Sequence, residues 1–222
     1  MLSKLEITVM NQAIPHPELI EEIARWRNID RLVHFTHIDN LCSILAHGLL
    51  GQTEQRNRRI SARHNGGALS NASDAISCSI TFPNQSMFCR IAGNRKNEWV
   101  VMVLKAEILW TKLCVFCESN AASSEIVKSD IKKRMGPDAL QKMFQHSIRG
   151  KHGRKFFRDN LQDCDTTDVQ AEVLVLDPIE PDLFLECAYL EGAVGDLEKI
   201  AKSHSIQFIP RSFYFGKRSL LW

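Results

Sequence analysis

The sequence has almost no excess of charge of either sign. Its 222 residues include 28 Lys and Arg against 26 Asp and Glu, a formal net charge of +2. Proteins that bind nucleic acid through overall charge are usually strongly basic. The balance therefore excludes overall charge as a basis for such binding, and any basic surface must be local.

Long apolar runs are also absent. No window of about 18 apolar residues occurs, so the sequence predicts no transmembrane helix. The opening residues, MLSKLEITVMNQAIPHPELIEE, include charged residues early and no apolar stretch of the kind that secretory signals have. We therefore expect a cytoplasmic protein.

The signature motifs of several large enzyme classes are missing. The sequence contains no GxGxxG, Walker loop, HExxH or GxSxG, which argues against Rossmann, P-loop, zincin and α/β-hydrolase chemistry. Its seven cysteines are scattered, and the single CxxC, Cys114 and Cys117, lacks a second pair of zinc ligands. We expect free thiols and no metal site.

The composition that remains is that of an ordinary globular protein. Hydrophobic residues make up 44% and charged residues 24%, which excludes a disordered chain, a collagen-like repeat and a coiled-coil rod. The length suits one domain, and no domain boundary is visible, so we expect a single domain over residues 1–222.

Hydrophobic periodicity predicts a mixture of helices and strands that does not alternate regularly. Residues 51–74 are predicted to be a long, mostly irregular segment. The pattern indicates an α+β fold with a mostly antiparallel, split β-sheet core and flanking helices. The predicted helices are 15–26, 41–47, 122–133, 137–146 and 194–203, and the predicted strands are 31–37, 76–82, 99–104, 114–117, 169–176, 183–189 and 206–209.

The first candidate site lies on the predicted strand at residues 31–37, which contains His34, Phe35 and Thr36. His34 and Thr36 are two residues apart and so project from the same face of a strand. An imidazole and a hydroxyl at one rim can hold a ribose or an amide. The alternative interpretation is a core histidine with a threonine that only fills the strand.

The second candidate is Glu172, in the run QAEVLV. Alternation places Glu172 on the same face as Gln170 and Leu174, so the carboxylate is partly enclosed among apolar neighbours. An enclosed carboxylate needs a partner or a function. The alternative is a rim carboxylate on an edge strand.

Two basic stretches could bind phosphate or nucleic acid. The first contains Arg56, Arg58, Arg59 and Arg63, whose guanidinium groups repel one another unless an anion is near. The alternative there is a solvated charged face.

The second basic stretch interleaves cations with aromatic residues, an arrangement that suits stacking on unpaired bases. The alternative is an amphipathic helix whose phenylalanines enter the core, and the pattern does not decide between them. The stretch contains Lys151, His152, Arg154, Lys155, Phe156, Phe157 and Arg158. Three of the four tryptophans, Trp26, Trp99 and Trp110, are expected to anchor the core.

Four runs in collinear order resemble the DarT family of nucleic-acid ADP-ribosyltransferase toxins. They are HFTHIDNLCSILAHGLL, ISCSITFPNQSMFCRI, VFCESNAAS and QAEVLV, and the resemblance extends over residues 34–176. Several motifs in one order are more specific than any single match. The resemblance implies an ADP-ribosyltransferase fold, NAD as co-substrate, single-stranded DNA as substrate and release of nicotinamide.

The resemblance also implies residue roles. His34, Phe35 and Thr36 would line the NAD pocket, and Glu172 would be the catalytic glutamate. Arg56 would bind the NAD phosphates and assist the target base, with Arg58 and Arg59 as alternatives because the loop length differs.

Other implications concern partners. The nucleic acid is expected to contact Arg58, Arg59, Arg154, Lys155 and Arg158. The family's usual neutraliser is a macrodomain protein, so the resemblance implies an antitoxin of that type and a role in a toxin–antitoxin or phage-defence system.

The sequence departs from the family at three places, one of which is the segment before Glu172, where the chain has a sequence of its own. The aromatic residues typical of the second run are largely gone, and Asn120 stands where the family has a histidine. These departures leave the modified base open, and RNA is an alternative acceptor. A protein ADP-ribosyltransferase and a non-catalytic nucleic-acid-binding module are further alternatives.

Overall fold

The structure is a computed structural model, and it describes residues 13–60, 74–123, 130–149, 154–193, 197–202, 204 and 206–218. Nine strands occur among these residues: β1 Arg31–His37, β2 Ile76–Ile80, β3 Trp99–Lys105, β4 Cys114–Cys117, β5 Ser147–Arg149, β6 Lys155–Phe157, β7 Glu172–Val175, β8 Phe184–Tyr189 and β9 Gln207–Pro210.

Seven α-helices flank the strands in the described ranges: α1 Pro17–Trp26, α2 Leu41–His47, α3 Gln52–Asn57, α4 Gln85–Ala92, α5 Ile108–Thr111, α6 Pro137–Lys142 and α7 Leu197–Lys202. Short 3-10 turns join them at Ile38–Asn40, Lys96–Glu98, Ile131–Arg134, Pro181–Leu183 and Ser212–Phe215. None of the helices in this part of the chain is long and apolar enough to cross a bilayer.

Seven strands form one sheet in the order β4-β7-β2-β1-β3-β8-β9, and β5 pairs with β6 in a separate two-stranded sheet. Every pair in the large sheet is antiparallel except β8 with β9. The predicted fold class, α+β with a mostly antiparallel sheet, is confirmed.

The core lies on both faces of the large sheet, and β3 shows why its sequence is continuously apolar. Val100, Met102 and Leu104 face one apolar cluster, whereas Val101 and Val103 face the other. A strand covered on both faces has no position for a polar side chain. The run WVVMVL is therefore buried along its whole length.

The sheet is weakly joined between β1 and β2. β1 pairs with β3 over seven residues but with β2 over only two, Leu32 with Ile80 and Val33 with Ser79. Beyond Val33 the two strands separate. This separation is the split in the sheet, and it creates the space for the site.

The tryptophan predictions have mixed outcomes. Trp99 is buried, and Trp110 is partly buried against the core, as expected. The prediction for Trp26 is wrong, because 73% of its surface is exposed at the end of α1. Its ring lies 4.9 Å from the guanidinium carbon of Arg27, a neighbour that keeps it at the surface.

Two element predictions are corrected. The irregular segment predicted over 51–74 contains α3, and its residues 61–73, with Arg63, lie outside the described residues. In the predicted helix over 122–133, residues 124–129 also lie outside them, and the described end forms the 3-10 turn Ile131–Arg134. There the side chain of Asp130 accepts a hydrogen bond from the Lys132 N–H, which favours a local turn over a continuous helix.

Candidate active site

A cleft opens where β1 and β2 separate. It encloses about 820 Å³, part of it open to solvent. β1 contributes His34, Phe35 and Thr36 to its wall, and β2 contributes Ile76 and Ser77. The rest of the wall comes from the 3-10 turn after β1, from α2 and the turn after it, from α3, and from residues that follow α3 or precede β2. These residues are Asn40, Ser43, Ile44, Gly48, Leu49, Leu50, Gly51, Gln52, Gln55, Ile60 and Ala75.

His34 is fixed at the point where the strands part. Its Nδ1 lies 2.8 Å from the carbonyl oxygen of Ser77. A carbonyl only accepts, so Nδ1 bears the hydrogen and the neutral ring keeps Nε2 as an acceptor. Burial lowers the pKa of His34, which favours this neutral form. The imidazole can therefore accept a hydrogen bond from an amide or hydroxyl in the cleft.

Thr36 is oriented by a residue of the turn that follows β1. The side-chain amide of Asn40 donates to the Thr36 hydroxyl oxygen over 3.1 Å. Both residues line the cleft and are almost fully buried. With the Asn40 hydrogen bond occupying its oxygen, the hydroxyl can still donate its own hydrogen to a ligand.

Glu172 is the first residue of β7, and only 5% of its surface is exposed. β7 lies between β4 and β2 in the sheet, so the alternative of a rim carboxylate on an edge strand is wrong. The Asn84 side-chain amide donates to Oε1 over 2.8 Å, and the Ser77 hydroxyl donates to Oε2 over 3.1 Å. The backbone N–H of Ala121 donates a third hydrogen bond.

Burial raises the pKa of Glu172, and the charge of Asp168 acts in the same direction. The three hydrogen bonds oppose this effect because they stabilise the ionised form. The carboxylate is therefore held in one orientation at an energetic cost. Such an arrangement is typical of functional carboxylates.

Ser77 connects the carboxylate to the cleft. Its carbonyl oxygen accepts from His34, and its hydroxyl donates to Glu172. Ser77 lines the cleft, whereas Glu172 lies one residue behind that wall. The structure thus brings the two strongest sequence candidates together through a single intervening residue.

A second buried acid supports the Glu172 site from behind. Asp168 is fully buried, and its carboxylate accepts from the Ser119 hydroxyl over 2.6 Å and from the Gln170 N–H over 2.9 Å. Burial raises the pKa of Asp168. The bond to Ser119 holds the segment that ends in Ala121, whose N–H reaches Glu172.

Sequence reasoning missed Ser77, Asn84, Ser119 and Asp168. Only Asn84 had a local signal, because it precedes α4 and its side chain caps that helix by accepting from the Met87 N–H over 3.2 Å. The contacts of these residues with the site join segments distant in sequence. No periodicity reveals such contacts.

The predicted arginines of α3 do not line the cleft. Arg56, Arg58 and Arg59 are exposed, and the residues that α3 directs to the cleft are Gln52 and Gln55. Arg58 donates to Glu54 over 2.6 Å, and Arg56 donates to Gln52 over 3.4 Å. The phosphate-binding roles of Arg56, Arg58 and Arg59 remain predictions.

The second basic stretch forms the strand β6 of a two-stranded sheet. The alternative of an amphipathic helix is therefore wrong for Lys155–Phe157. Phe157 is 54% exposed, and the Arg154 guanidinium lies 5.2 Å from the Phe156 ring centre. Lys155 is exposed beside them. Two predicted members, Lys151 and His152, lie outside the described residues.

Arg158 has a structural task that the sequence did not reveal. Its guanidinium donates to the carbonyl oxygens of Asp165, Gln162 and Asp163 over 2.5, 2.6 and 2.9 Å. These bonds shape the loop that leads toward Glu172. A nucleic-acid contact by Arg158 remains a prediction, and it must coexist with this role.

In the part of the chain that the structure describes, no three His, Cys, Asp or Glu side chains form a group that could hold a metal ion. The seven cysteines are unpaired. Burial raises the pKa of Cys78 to about 12, so this thiol is protonated at neutral pH.

Comparisons with known proteins agree with this geometry. A family model described as "ssDNA thymidine ADP-ribosyltransferase, DarT" matches residues 33–215. Comparison with curated protein sequences gives no significant match.

Solved structures share the fold. Thermosipho africanus DarTG in complex with ADP-ribose matches with a TM-score of 0.55 and 18% identity, over 84% of this chain and 51% of that one. Thermus sp. 2.9 DarT in complex with NAD+ matches with a TM-score of 0.53 and 17% identity, over 91% and 99%. The same protein with carba-NAD+ gives a TM-score of 0.51 and 17% identity, over 84% and 97%. This chain thus spans about half the length of the Thermosipho chain.

Proposed function

The chain belongs to the DarT family of ssDNA thymidine ADP-ribosyltransferases, and from that premise we propose that it transfers ADP-ribose from NAD to a base of single-stranded DNA. The observation that carries the proposal is the buried Glu172 carboxylate, held by three donors directly behind the wall of the cleft. NAD is a co-substrate in this reaction, and nicotinamide leaves as the product.

The chemistry needs a fixed negative charge. When the bond between the ribose and nicotinamide breaks, its electron pair leaves with nicotinamide and positive charge develops on the ribose. Glu172 would stabilise that charge and accept a hydrogen bond from a ribose hydroxyl. Because Ser77 and Asn84 already orient the carboxylate, little reorganisation is needed as the charge develops.

The cleft supplies the groups that would hold NAD. His34 offers an acceptor at Nε2, and Thr36 offers a hydroxyl hydrogen, which suits the amide and ribose hydroxyls of the dinucleotide. Phe35 adds an apolar wall. Holding both ends of the reacting bond in place converts binding energy into a defined geometry of attack.

The arginines of α3 would act on phosphate and on the base. Arg56 is proposed to neutralise the NAD phosphates, with Arg58 and Arg59 as alternatives. The attacking base nitrogen must lose its proton to form a neutral product. An arginine hardly deprotonates, so we propose that Arg56 assists electrostatically, by stabilising the base as it becomes anionic.

The accessibility of the ring nitrogens of the target base favours single-stranded DNA as the acceptor. The ring nitrogens of a paired base are hidden in the duplex, and exposing them costs unstacking and unpairing energy. The family description gives thymidine as the target. Asn120 replaces a family histidine, and several aromatic residues are missing. We therefore propose that this chain prefers a different DNA sequence around the target base than its relatives do.

The test is incubation with NAD and a panel of oligomers: single strands with one, several or no thymidines, the matching duplex, the matching RNA and a mixture of proteins. Mass spectrometry of each acceptor and assay of nicotinamide are the readouts. The proposal predicts modification of thymidine-containing single-stranded DNA above all others. Modification of RNA or protein alone would establish an alternative acceptor, and binding without nicotinamide release would indicate a non-catalytic module.

Three further expectations stay proposals. We propose one domain over residues 1–222, supported by a single large sheet with apolar clusters on both faces. We propose action in the cytoplasm, where NAD and single-stranded DNA occur together. We also propose a macrodomain-type antitoxin as partner in a toxin–antitoxin or phage-defence role, which is tested by asking whether such a protein removes ADP-ribose from the modified oligomer.

A further inference from the structure

Two large aromatic side chains of the described residues are exposed outside the cleft. Trp26 is 73% exposed at the end of α1, and Phe157 is 54% exposed on β6. A buried position was expected for Trp26, so its exposure needs an explanation. The Trp26 ring adjoins the Arg27 guanidinium, and the Phe157 ring adjoins that of His146. We call the residues that join the two rings the aromatic–arginine strip: Trp26, Arg27, His146, Phe157 and Arg158, with the buried Phe144 ring in contact with both arginines.

The strip is continuous. The Arg27 guanidinium carbon lies 4.9 Å from the Trp26 ring centre and 4.3 Å from that of Phe144. The Arg158 guanidinium carbon lies 5.4 Å from the same Phe144 ring. The backbone N–H of Arg158 donates to the His146 carbonyl oxygen over 3.0 Å. The His146 ring in turn lies 6.3 Å from that of Phe157.

The two arginines lack paired carboxylates. The Arg27 guanidinium donates to the Asp163 carbonyl oxygen over 3.3 Å, and the Arg158 guanidinium donates to backbone carbonyls of the same loop. Among the described residues, neither guanidinium forms a salt bridge, and Nε of Arg27 is enclosed without an acceptor. Burial and then the charge of Arg158 lower the pKa of Arg27. An anion placed between the two cations would relieve this repulsion.

A third arginine connects the strip to the active site. Arg218 donates to the Thr166 carbonyl oxygen over 3.0 Å, and Arg158 donates to the carbonyl oxygen of the preceding residue, Asp165. Asp168 is the acid that supports the Glu172 segment through Ser119. The loop that ends at Asp168 is therefore bonded to both arginines, and it joins the strip to the segment that precedes Glu172.

We propose that the aromatic–arginine strip binds the stretch of single-stranded DNA that adjoins the modified base. Phosphates would lie against Arg27 and Arg158, and unpaired bases would stack on Trp26 and Phe157. Exposed aromatic rings beside cations are the combination that single-strand binding uses, because every base has a face that can stack. The proposal rests on the proposed function and specifies the path of its substrate.

The first experiment uses the fluorescence of Trp26 as a direct reporter. Titration of the full chain with a thymidine-containing single strand should quench tryptophan emission, and the quenched component should be absent in Trp26→Phe. Trp26→Ala should weaken oligonucleotide binding about tenfold, the range of one lost stacking contact. Leu19→Ala is the matched control, since Leu19 is 42% exposed on the same helix and lies outside the strip.

The second experiment tests the charge of the strip. Asp163 is an exposed acid whose charge acts on both arginines. Asp163→Asn should therefore tighten oligonucleotide binding, whereas Arg27→Gln should weaken it and reduce the dependence of log affinity on log salt by about one ion. A purely structural role for Asp163 would not make binding tighter.

The outcomes separate this proposal from the proposed function. If the wild-type chain modifies single strands, but Trp26→Ala binds and modifies them as Leu19→Ala does, the strip proposal is overturned and the function stands. If the wild-type chain binds single strands with quenching of Trp26 but transfers no ADP-ribose, the strip stands and the function fails. Equal quenching by a matched duplex would also overturn the strip proposal, since paired bases do not offer their faces.

Discussion

Glu172 owes its position to three donors from three separate segments of the chain. Asn84 and Ser77 are 88 and 95 residues away in sequence, and Ala121 lies on the segment after β4. Each donor favours the charged form, and burial opposes it. The carboxylate is thus both costly to keep ionised and fixed in direction, the combination that a stabiliser of positive charge requires.

The charge on Glu172 is predicted to reduce stability. Burial raises its pKa in the folded chain, so its contribution is favourable below the pKa of an unfolded glutamate and is lost as the pH rises through the folded value. Glu172→Gln removes the charge; its remaining oxygen can still accept from Asn84, and the Ser77 hydroxyl can turn to accept from the new amide. The variant should have a higher Tm than wild type at pH 7, and the difference should vanish as the pH falls below about 4. Thermal unfolding at both pH values checks this, and a lower Tm at pH 7 would contradict it.

Asn84 allows a sharper test, because it caps α4 with one atom and binds Glu172 with another. Asn84→Asp keeps the cap but places a second carboxylate against the first. Like charges raise the pKa further, so the acid limb of the rate against pH should move to higher pH. On the acid side of the profile, transfer should fall about tenfold for each unit of that movement.

Asn94→Asp serves as the control for this charge, because Asn94 is exposed just after the same helix. The control should leave the pH profile unchanged. Loss of activity in Asn84→Asp without any movement of the acid limb would show that Asn84 only stabilises the fold.

At this scale the sequence predicted the acid but not its partners. Glu172 was identifiable because a carboxylate interrupts an apolar strand, and His34 with Thr36 because two polar side chains share a strand face. Ser77 looked like an ordinary strand residue. Its role arises only when β2 packs beside β7, with Ser77 opposite Leu174 in the ladder.

Among the elements, the β1–β2 pair decides where the site forms. The ladder ends at Val33 and Ser79, and the free edges of both strands then line the cleft. The turn after α2 closes the other side, where Leu49 and Ile179 exchange two backbone hydrogen bonds of 2.9 and 3.0 Å. This turn depends on Gly48, which has φ of 84°.

Gly48→Ala is predicted to damage stability and the cleft together. A Cβ at this position would overlap the Ile179 carbonyl oxygen, and the left-handed backbone adds strain. We expect a loss of about 2–4 kcal/mol and a raised KM for NAD. Thermal unfolding and steady-state kinetics measure the two effects.

Gly93→Ala is the comparison for Gly48→Ala. Gly93 also has a positive φ, 54°, but nothing lies within 4 Å of an added Cβ. It should lose only about 1–2 kcal/mol, with an unchanged KM. Equal losses in the two variants would show that contact with Ile179 is unimportant.

The elements themselves were predictable to different degrees. The strand at β3 and the helix at α1 followed from a continuous apolar run and from helical spacing. The short helix α3, QTEQRN, was missed because it has no buried residue and so no apolar face to reveal it. The helix is recognisable only from its position in the fold, where Gln52 and Gln55 line the cleft.

On the scale of the whole molecule, the net charge of +2 does not show that positively charged side chains are concentrated in one region. Arg149, Arg154 and Lys155 lie on or beside the two-stranded sheet, and no acid among the described residues pairs with them. This is the local basic surface that the overall balance left open. Composition could predict that such a surface had to be local but not where the chain would place it.

Charge reversal on this sheet should change how salt affects binding. Lys155→Glu should weaken binding to single-stranded DNA and lower the slope of log affinity against log salt, because fewer counterions are released. Lys105→Glu provides the control, since Lys105 also lies at one end of a strand but is within 3.9 Å of Glu107. Binding isotherms at several salt concentrations measure both, and an identical slope in the two variants would exclude the sheet from the DNA surface.

The central claim, that the Glu172 carboxylate drives ADP-ribosyl transfer to an unpaired base, is tested most directly by mass spectrometry of a thymidine-containing single strand after incubation with NAD and either wild type or Glu172→Gln. Wild type should add one ADP-ribose per modified base and release an equal amount of nicotinamide. The folded variant should bind the same strand but transfer ADP-ribose about a hundredfold to a thousandfold more slowly. Transfer by Glu172→Gln at the wild-type rate would contradict the claim.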